Sequence, residues 1–374
     1  MIKPELMMGT PTANDGYWLQ YSHLQYVKHR LIREYLNGWF PKMTLGQTRN
    51  PTLQFIDTHA GRGRHREGQP GSPLVALTSL LEHESRDKIL DGTTVNYHFL
   101  ENNAKNAELL RTEIAALIDR SGRPSGIEFD VVCTDAFEYI QGQLDAMEAE
   151  KKNLAPAFIF IDPFGFKLPG KLLRRILRFR GVELFVNVIW RELNMLIRQV
   201  QAPIKKKQNV RQRSLFDDEE TSPLPLIESS ADSEIISTDV PVFETLLDTI
   251  FAGEDWQSIN ADHADSRADQ CAEVFQKMTG AKWGTTIQMH DNKVARYFLL
   301  HLTNNPHGRK YMKECLWKVC PNGIFIVDKS GNPEQGSLGP NLEMLRQWVL
   351  SKLKTGSMSW EDIDQLLVDE IWLS

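Results

Sequence analysis

Cysteine is scarce in this chain: four in 374 residues, Cys133, Cys271, Cys315 and Cys320, with no Cys-x-x-Cys pair. That spacing offers no disulfide framework and no cysteine-based zinc site, so reduced thiols in a cytoplasmic protein are expected. No apolar run reaches the roughly 18 residues that a membrane-spanning helix needs, and residues 1–14 lack a basic-then-apolar leader. Histidines at metal-binding spacing are missing too. His59 and His65 lie on a Gly/Arg-rich stretch without Asp-x-Asp or His-x-x-x-His. A metal-dependent phosphate-cleaving enzyme is therefore disfavoured, and no metal is expected. Repeated units are absent as well.

What is present begins with an uneven charge. The net charge of −6 conceals two blocks of opposite sign. Residues 162–213 carry thirteen Lys/Arg against three Asp/Glu, and residues 214–274 carry sixteen acids against one Arg. The basic block suits a polyanion approaching that part of the molecule.

The organising stretch is Phe158-Ile159-Phe160-Ile161-Asp162-Pro163-Phe164-Gly165-Phe166. Its unbroken apolar run reads as a strand buried on both faces, the usual state of a central parallel strand. An acid, a proline, an aromatic and a glycine follow at the carboxyl end, where open α/β sheets place their ligands. The carboxylate of Asp162 and the Pro163 carbonyl can both accept hydrogen bonds from an exocyclic amino group. Phe164 or Phe166 can stack on a planar base.

Upstream, residues 17–40 show apolar residues at intervals of three and four (Leu24, Val27, Leu31, Tyr35, Trp39), which predicts a long amphipathic helix ended by Pro41. Residues 53–57 read as a strand running into Thr58-His59-Ala60-Gly61-Arg62-Gly63-Arg64-His65. Glycines there remove the Cβ that would keep a cofactor from the backbone. The two-glycine pattern is short of a full fingerprint. A helix with Ser72 as cap and Pro73 in its first turn follows. Strands are predicted at 95–100 and 127–132, with Glu101 after the first and Asp135 after the second. Asp57, Glu101, Asp135 and Asp162 thus end four successive strands separated by helices. Together they spell a nucleoside-cofactor site, with Glu101 on the ribose and Asp135 at the base, beside a reactive tip.

Beyond the tip, residues 169–179 form a basic helix and 183–190 a fifth strand. Residues 203–240, rich in charge, Ser and Pro, are expected to be a mobile insertion. Helices at 243–251, 268–278 and 306–319 and a strand at 294–302 complete the body. Two tail helices, 342–353 and one capped by Ser359, form a small appendage like a winged helix. The second is acidic, which argues against direct DNA reading by it. The expected organisation is an N-terminal arm and helix (1–40), an α/β domain (41–325) and the tail region (326–374).

In these stretches the chain resembles the three-Cys-motif partner family, over about residues 17–320. The likeness is carried by Tyr17-Trp18 with Lys28-His29, Phe55-Ile56-Asp57-x-x-Ala60-Gly61-x-Gly63, Gly71-Ser72-Pro73-Leu74 and Phe99-Leu100-Glu101. It continues through Phe160-Ile161-Asp162-Pro163-Phe164-Gly165, Val186-Asn187, Tyr297-Phe298-Leu299-Leu300 and His307-Gly308-x-x-x-Met312. The resemblance implies a Rossmann-like class I methyltransferase fold, S-adenosylmethionine as cofactor, and a three-cysteine radical-type partner protein. The chain is more distantly similar to adenine-N6 methyltransferases of ribosomal RNA, which carry a Lys-His pair and an Asp-Pro-Pro-Tyr tip. That likeness assigns Lys28 to the carboxylate of the cofactor's methionine moiety. Phe164 stands where those enzymes have a second proline. Arg62 replaces the family's usual loop proline, which points the loop toward a more anionic group.

The expected function is methyl transfer to an exocyclic amino group of a nucleic-acid base. Lys28, Asp57, Ala60, Gly61, Gly63, Glu101 and Asp135 would hold the cofactor, and Asp162, Pro163, Phe164 and Phe166 the target. Arg62, Arg64, Lys167, Lys171, Arg174, Arg175 and Arg178 would grip phosphates. The alternative is a non-catalytic scaffold that binds nucleic acid or the radical-type partner.

Overall fold

The computed structural model describes residues 21–45, 51–214, 240–320, 323–334, 342–354 and 356–370. The expected arm and most of the expected insertion lie outside these residues.

The chain opens with α1 (His23–Thr44), started by a capping box in which Ser22 and Gln25 bond each other's backbone amides. Pro41 does not end it. A proline leaves the carbonyl four residues earlier without its helical donor, and here the ring of His83 donates to Asn37 O at 2.8 Å. Buried Trp39, Phe40 and Thr44 hold the last turn on the core, so the helix continues.

There follow β1 (Thr52–Asp57), α2 (Ser72–Leu81), α3 (Arg86–Leu90), β2 (Thr94–Glu101), α4 (Ala104–Arg120), β3 (Ile127–Cys133), α5 (Ala136–Ala149) and β4 (Ala157–Ile161). After these come α6 (Gly170–Ile176), β5 (Val182–Val188), α7 (Trp190–Ser214), α8 (Val240–Ile250) and α9 (Ala264–Thr279). The chain then runs through β6 (Trp283–Asp291), β7 (Val294–Thr303), α10 (Pro306–Val319), β8 (Ile324–Val327), α11 (Leu342–Leu353) and α12 (Trp360–Glu370). None of these helices is long and apolar enough to cross a membrane.

The eight strands form one sheet in the order β3-β2-β1-β4-β5-β7-β6-β8. β1 to β5 are parallel, β7 runs antiparallel to β5 and β6, and β8 is parallel to β6. This is a Rossmann-like α/β fold. Strand order reverses between β1 and β4, and the crevice at the carboxyl ends of such a pair is where this architecture binds ligands.

Alternation along the buried strands sorts the core by chemistry. Phe55, Tyr97, Phe99, Phe158, Phe160 and Phe185 point to the face covered by α1, α2, α4 and α10. Ile56, Ile159, Ile161, Leu184 and Val186 point to the face covered by α5 to α9. Phe158 lies 5.1 Å from the ring of Tyr35 and 6.2 Å from that of Phe55, so α1 is seated on an aromatic layer. That seating fixes where Lys28 falls.

Three elements depart from expectation. β6 lacks clear alternation, and its hairpin turn uses Asn292 and Lys293, both at positive φ, without the Asn-Gly signal. β8 straddles the expected boundary at 325 and pairs with β6 instead of joining the tail. Gly71, not Ser72, caps α2, with no side-chain cap hydrogen bond.

Candidate active site

The parallel strands deliver Asp57, Glu101, Asp135 and Asp162 to one rim of the sheet. Asp57 pairs across the ladder with Phe160, two residues before Asp162. Its carboxyl is fully buried, accepts the His59 amide at 3.2 Å on Oδ1, and leaves Oδ2 with no hydrogen-bond partner. Burial pushes it up to about 7, against the pull of Ser72 and the His59 amide.

Asp162 is treated in the opposite way. Burial alone would raise it, but the Lys28 ammonium on Oδ2 and the Asn187 amide on Oδ1 (2.5 Å) hold it below the ordinary carboxylate value. Lys28 is itself 3% exposed and reaches this carboxylate from α1. Asn187 must present its N–H to a carboxylate, so its Oδ1 points away; that oxygen is buried and has no hydrogen-bond partner. His29, next to Lys28, is pushed down to about 3 by burial and by the adjacent ammonium, and its Nδ1 lies 2.9 Å from the Tyr21 hydroxyl. It is neutral at physiological pH.

The loop after β1 turns on Gly61 (φ 66°) and Gly63 (φ 90°), conformations that favour glycine. A Cβ at Gly63 would come within 3.1 Å of Leu110. The loop is tied inward: Thr58 N donates to Phe160 O, Ala60 N to Leu100 O and Gly61 N to Glu101 Oε2 at 2.8 Å. Glu101, 4% exposed, accepts Asn103 N on its other oxygen, also at 2.8 Å. Its carboxylate is therefore fixed at the rim before any ligand arrives. Asp135 caps α5, its Oδ1 accepting Phe137 N and Glu138 N.

Glu101, Asp135, Phe164, His59, Thr58 and Asn102 line a cleft above these strand ends. Phe164 is 53% exposed, raised into it by the turn at Gly165 (φ 96°). Burial pushes His59 down to about 4, so it meets the cleft as a neutral ring.

Several expected roles need correction. Phe166 is 3% exposed and packs in the aliphatic core with Leu168 and Leu172, whereas Phe164 is exposed at the cleft. Lys28 is engaged by Asp162, joining two residues assigned to different partners. Arg64 is held by Glu113 at 2.7 Å, Arg174 by Glu254 and Met278 O, and Arg175 by Asp145 and Glu148. Those three guanidinium groups are matched inside the fold. Arg62 is partly buried near His65, whereas Lys167, Lys171 and Arg178 are exposed. Pro163 is buried behind the tip. Asn187 is the functional-site residue that the site assignment lacked. Its signal is a single amide interrupting the apolar run of β5, in register with the end of β4.

Among the described residues no group of His, Cys, Asp and Glu could hold a metal ion. The chain matches no protein-family model and no curated protein, so the likeness to three-Cys-motif partners rests on its motifs. Among solved structures, it is similar to a Legionella pneumophila protein assigned to family-model DUF519, at 13% identity, with 76% of this chain and 86% of that one covered and a TM-score of 0.36. It is also similar to an O-methyltransferase from Bacillus cereus in complex with SAH, at 13% identity, with 80% and 91% covered and a TM-score of 0.33. Likeness at that level carries no argument about chemistry, which must come from the site.

Proposed function

We propose that the protein is an S-adenosylmethionine-dependent methyltransferase acting on an exocyclic amino group of a nucleic-acid base. The observation that carries this reading is the pair of buried polar atoms without partners at the strand ends, Asp57 Oδ2 and Asn187 Oδ1. Buried polar groups are normally bonded, and such orphans cost roughly 1–3 kcal/mol each unless a ligand meets them.

The residues present fit the cofactor. The orphan oxygen of Asp57 lies beneath a loop opened by two glycines, and the fixed carboxylate of Glu101 can accept ribose hydroxyls. Asp135, Asn102 and Phe164 bound the part of the cleft suited to a planar base. When bound, S-adenosylmethionine supplies an electrophilic methyl group.

The chain's own part is positioning. Lys28 and Asn187 keep Asp162 ionised and fixed, so its carboxylate oxygens can each accept a further N–H. With the Pro163 carbonyl and Asn187 Oδ1 they make a region rich in acceptors. An amino group has two N–H bonds to offer such a region, whereas a hydroxyl has one. Phe164 would stack on the attached ring, and a base within a duplex would first have to be flipped out. Exposed Lys167 and Lys171, between the tip and the first turn of α6, would contact phosphates, with Arg178 just past the far end of that helix.

The test is transfer of a labelled methyl group from S-adenosylmethionine to total RNA and DNA. Wild type should label one of them, and Asp162→Ala should abolish labelling while cofactor affinity stays within a few-fold. Equal rates for both proteins would overturn the assignment of Asp162.

A further inference from the structure

At the opposite rim of the sheet lies a second set of buried donors with incomplete bonding. β8 pairs only with residues 288–291 of β6, so residues 283–287 form a sheet edge that no described strand covers. Gln276 of α9, the first turns of α10 and the end of α12 close around that edge to make a slot. Thr285 lines it and is 4% exposed, and its hydroxyl has no hydrogen-bond partner. Arg309 gives Nη1 to Asp369 at 2.6 Å, but its buried Nε–H has no acceptor. Lys313, 7% exposed, donates to the Val368 carbonyl near the end of α12, and burial draws it down to about 8. The Arg309 guanidinium lies 5.9 Å over the Trp283 ring, which forms one wall of the slot.

We infer that this slot binds the phosphate group of a nucleotide or nucleic-acid strand, and that Asp369 is a built-in competitor for it. The carboxylate now in the slot is a poor match for the donors around it. One of its oxygens takes Arg309 and the other takes Gln365 Nε2 at 3.1 Å, so the Arg309 Nε–H and the Thr285 hydroxyl remain unmet. A phosphate has more acceptor oxygens in a tetrahedral arrangement and engages the arginine fork two-pronged. It can meet the Nε–H and Nη2–H edge of Arg309, the Thr285 hydroxyl and the Lys313 ammonium together.

The charge of α12 fits a competitor that stands in for phosphate. It carries five acids and no base, and Lys310 holds its Asp364 at 2.5 Å. A phosphate entering the slot draws Arg309 from Asp369 and Lys313 from the Val368 carbonyl, and so loosens the end of α12. This site is separate from the cleft and does not depend on the reading given for it.

The test is calorimetric titration of the full chain with inorganic phosphate, adenosine monophosphate and a single-stranded oligonucleotide, at one salt concentration. Thr285→Val removes a donor without touching the α12 contacts and should weaken all three by about tenfold. Asp369→Asn should tighten them by up to about fivefold. Amide hydrogen exchange should show α12 exchanging faster when phosphate is bound. An oligonucleotide binding far more tightly than phosphate identifies a strand as the source, and equal affinities identify the free anion or nucleotide. Affinities unchanged by both substitutions, or no binding of any probe, would overturn the inference.

Discussion

The two rims of the sheet treat a buried carboxylate in opposite ways. At the amino rim Glu183, 3% exposed, receives the Tyr35 hydroxyl at 2.5 Å and His301 Nε2 at 2.7 Å on one oxygen. Gly308 lets the start of α10 close over it, since a Cβ there would come within 2.8 Å of the same carboxylate. Within that trio His301 Nδ1 is the one fully buried polar atom without a partner. At the carboxyl rim Asp57 has a single backbone amide as the donor to its side chain and a fully buried Oδ2 with none, and the fully buried Oδ1 of Asn187 is likewise without a partner. The first arrangement ties α1, β5, β7 and α10 together. The second carries a cost that does nothing for folding, which is what a ligand site looks like before its ligand arrives.

That contrast can be broken at four places. The largest effect belongs to Lys28→Ala, which leaves the Asp162 carboxylate buried without its cation. A loss of about 3–5 kcal/mol is expected by urea denaturation, and adding Asp162→Asn should recover more than half of it. A loss below about 1 kcal/mol would mean that water already supports Asp162.

Next comes the pH dependence set by Asp57. Its native carboxyl is raised to about 7, so between about pH 4 and 7 the native state holds a proton that the unfolded chain has released. Its own contribution to stability should therefore fall by a few kcal/mol as the pH rises through that window, opposing the rise that the lowered His29 and His59 bring over the same range. Asp162 shifts the other way, and its contribution is lost only as the pH falls below about 4. Asp57→Asn should remove that part of the pH dependence, so the stability difference between variant and wild type changes by a few kcal/mol across the window. A slope of the same size in that variant would assign the proton to another group.

Gly308→Ala tests the matched rim. Forcing a methyl group against Glu183 should cost about 1–3 kcal/mol, with cofactor binding at the other rim unchanged. The smallest effect is expected from Ser72→Ala. It removes the hydroxyl that pulls the Asp57 carboxyl down against burial, so the Asp57 titration should move further up from about 7, read by carboxyl NMR.

The order of these elements was legible because buried parallel strands are written as apolar runs. Phe158-Ile159-Phe160-Ile161 announces β4, and the acid after each such run marks the rim. Pairing was not legible. Lys28 and Asp162 are 134 residues apart, and the seating of α1 on Phe158 through Tyr35 makes them neighbours. The same holds for Arg64, Arg174 and Arg175, whose charges read as a surface for phosphates but find carboxylates on α4, α5 and the loop at Glu254. Phe166 and Phe164 are alike in sequence, and the turn at Gly165 sends one inward and the other out. β6 was missed because Gly284, Thr285, Thr286 and Gln288 dilute its pattern, and pairing with β7 supplies what propensity does not.

The central claim is that the unmatched atoms at the carboxyl rim await a nucleoside cofactor. Titrating S-adenosylmethionine calorimetrically into wild type and into a double Asp57→Ala, Glu101→Ala variant tests it most directly. The account predicts one site per chain in wild type, tightening as the pH rises through about 7, and loss of binding in the variant. No heat and no protection of the Gly61–Gly63 loop in wild type at millimolar ligand would contradict it.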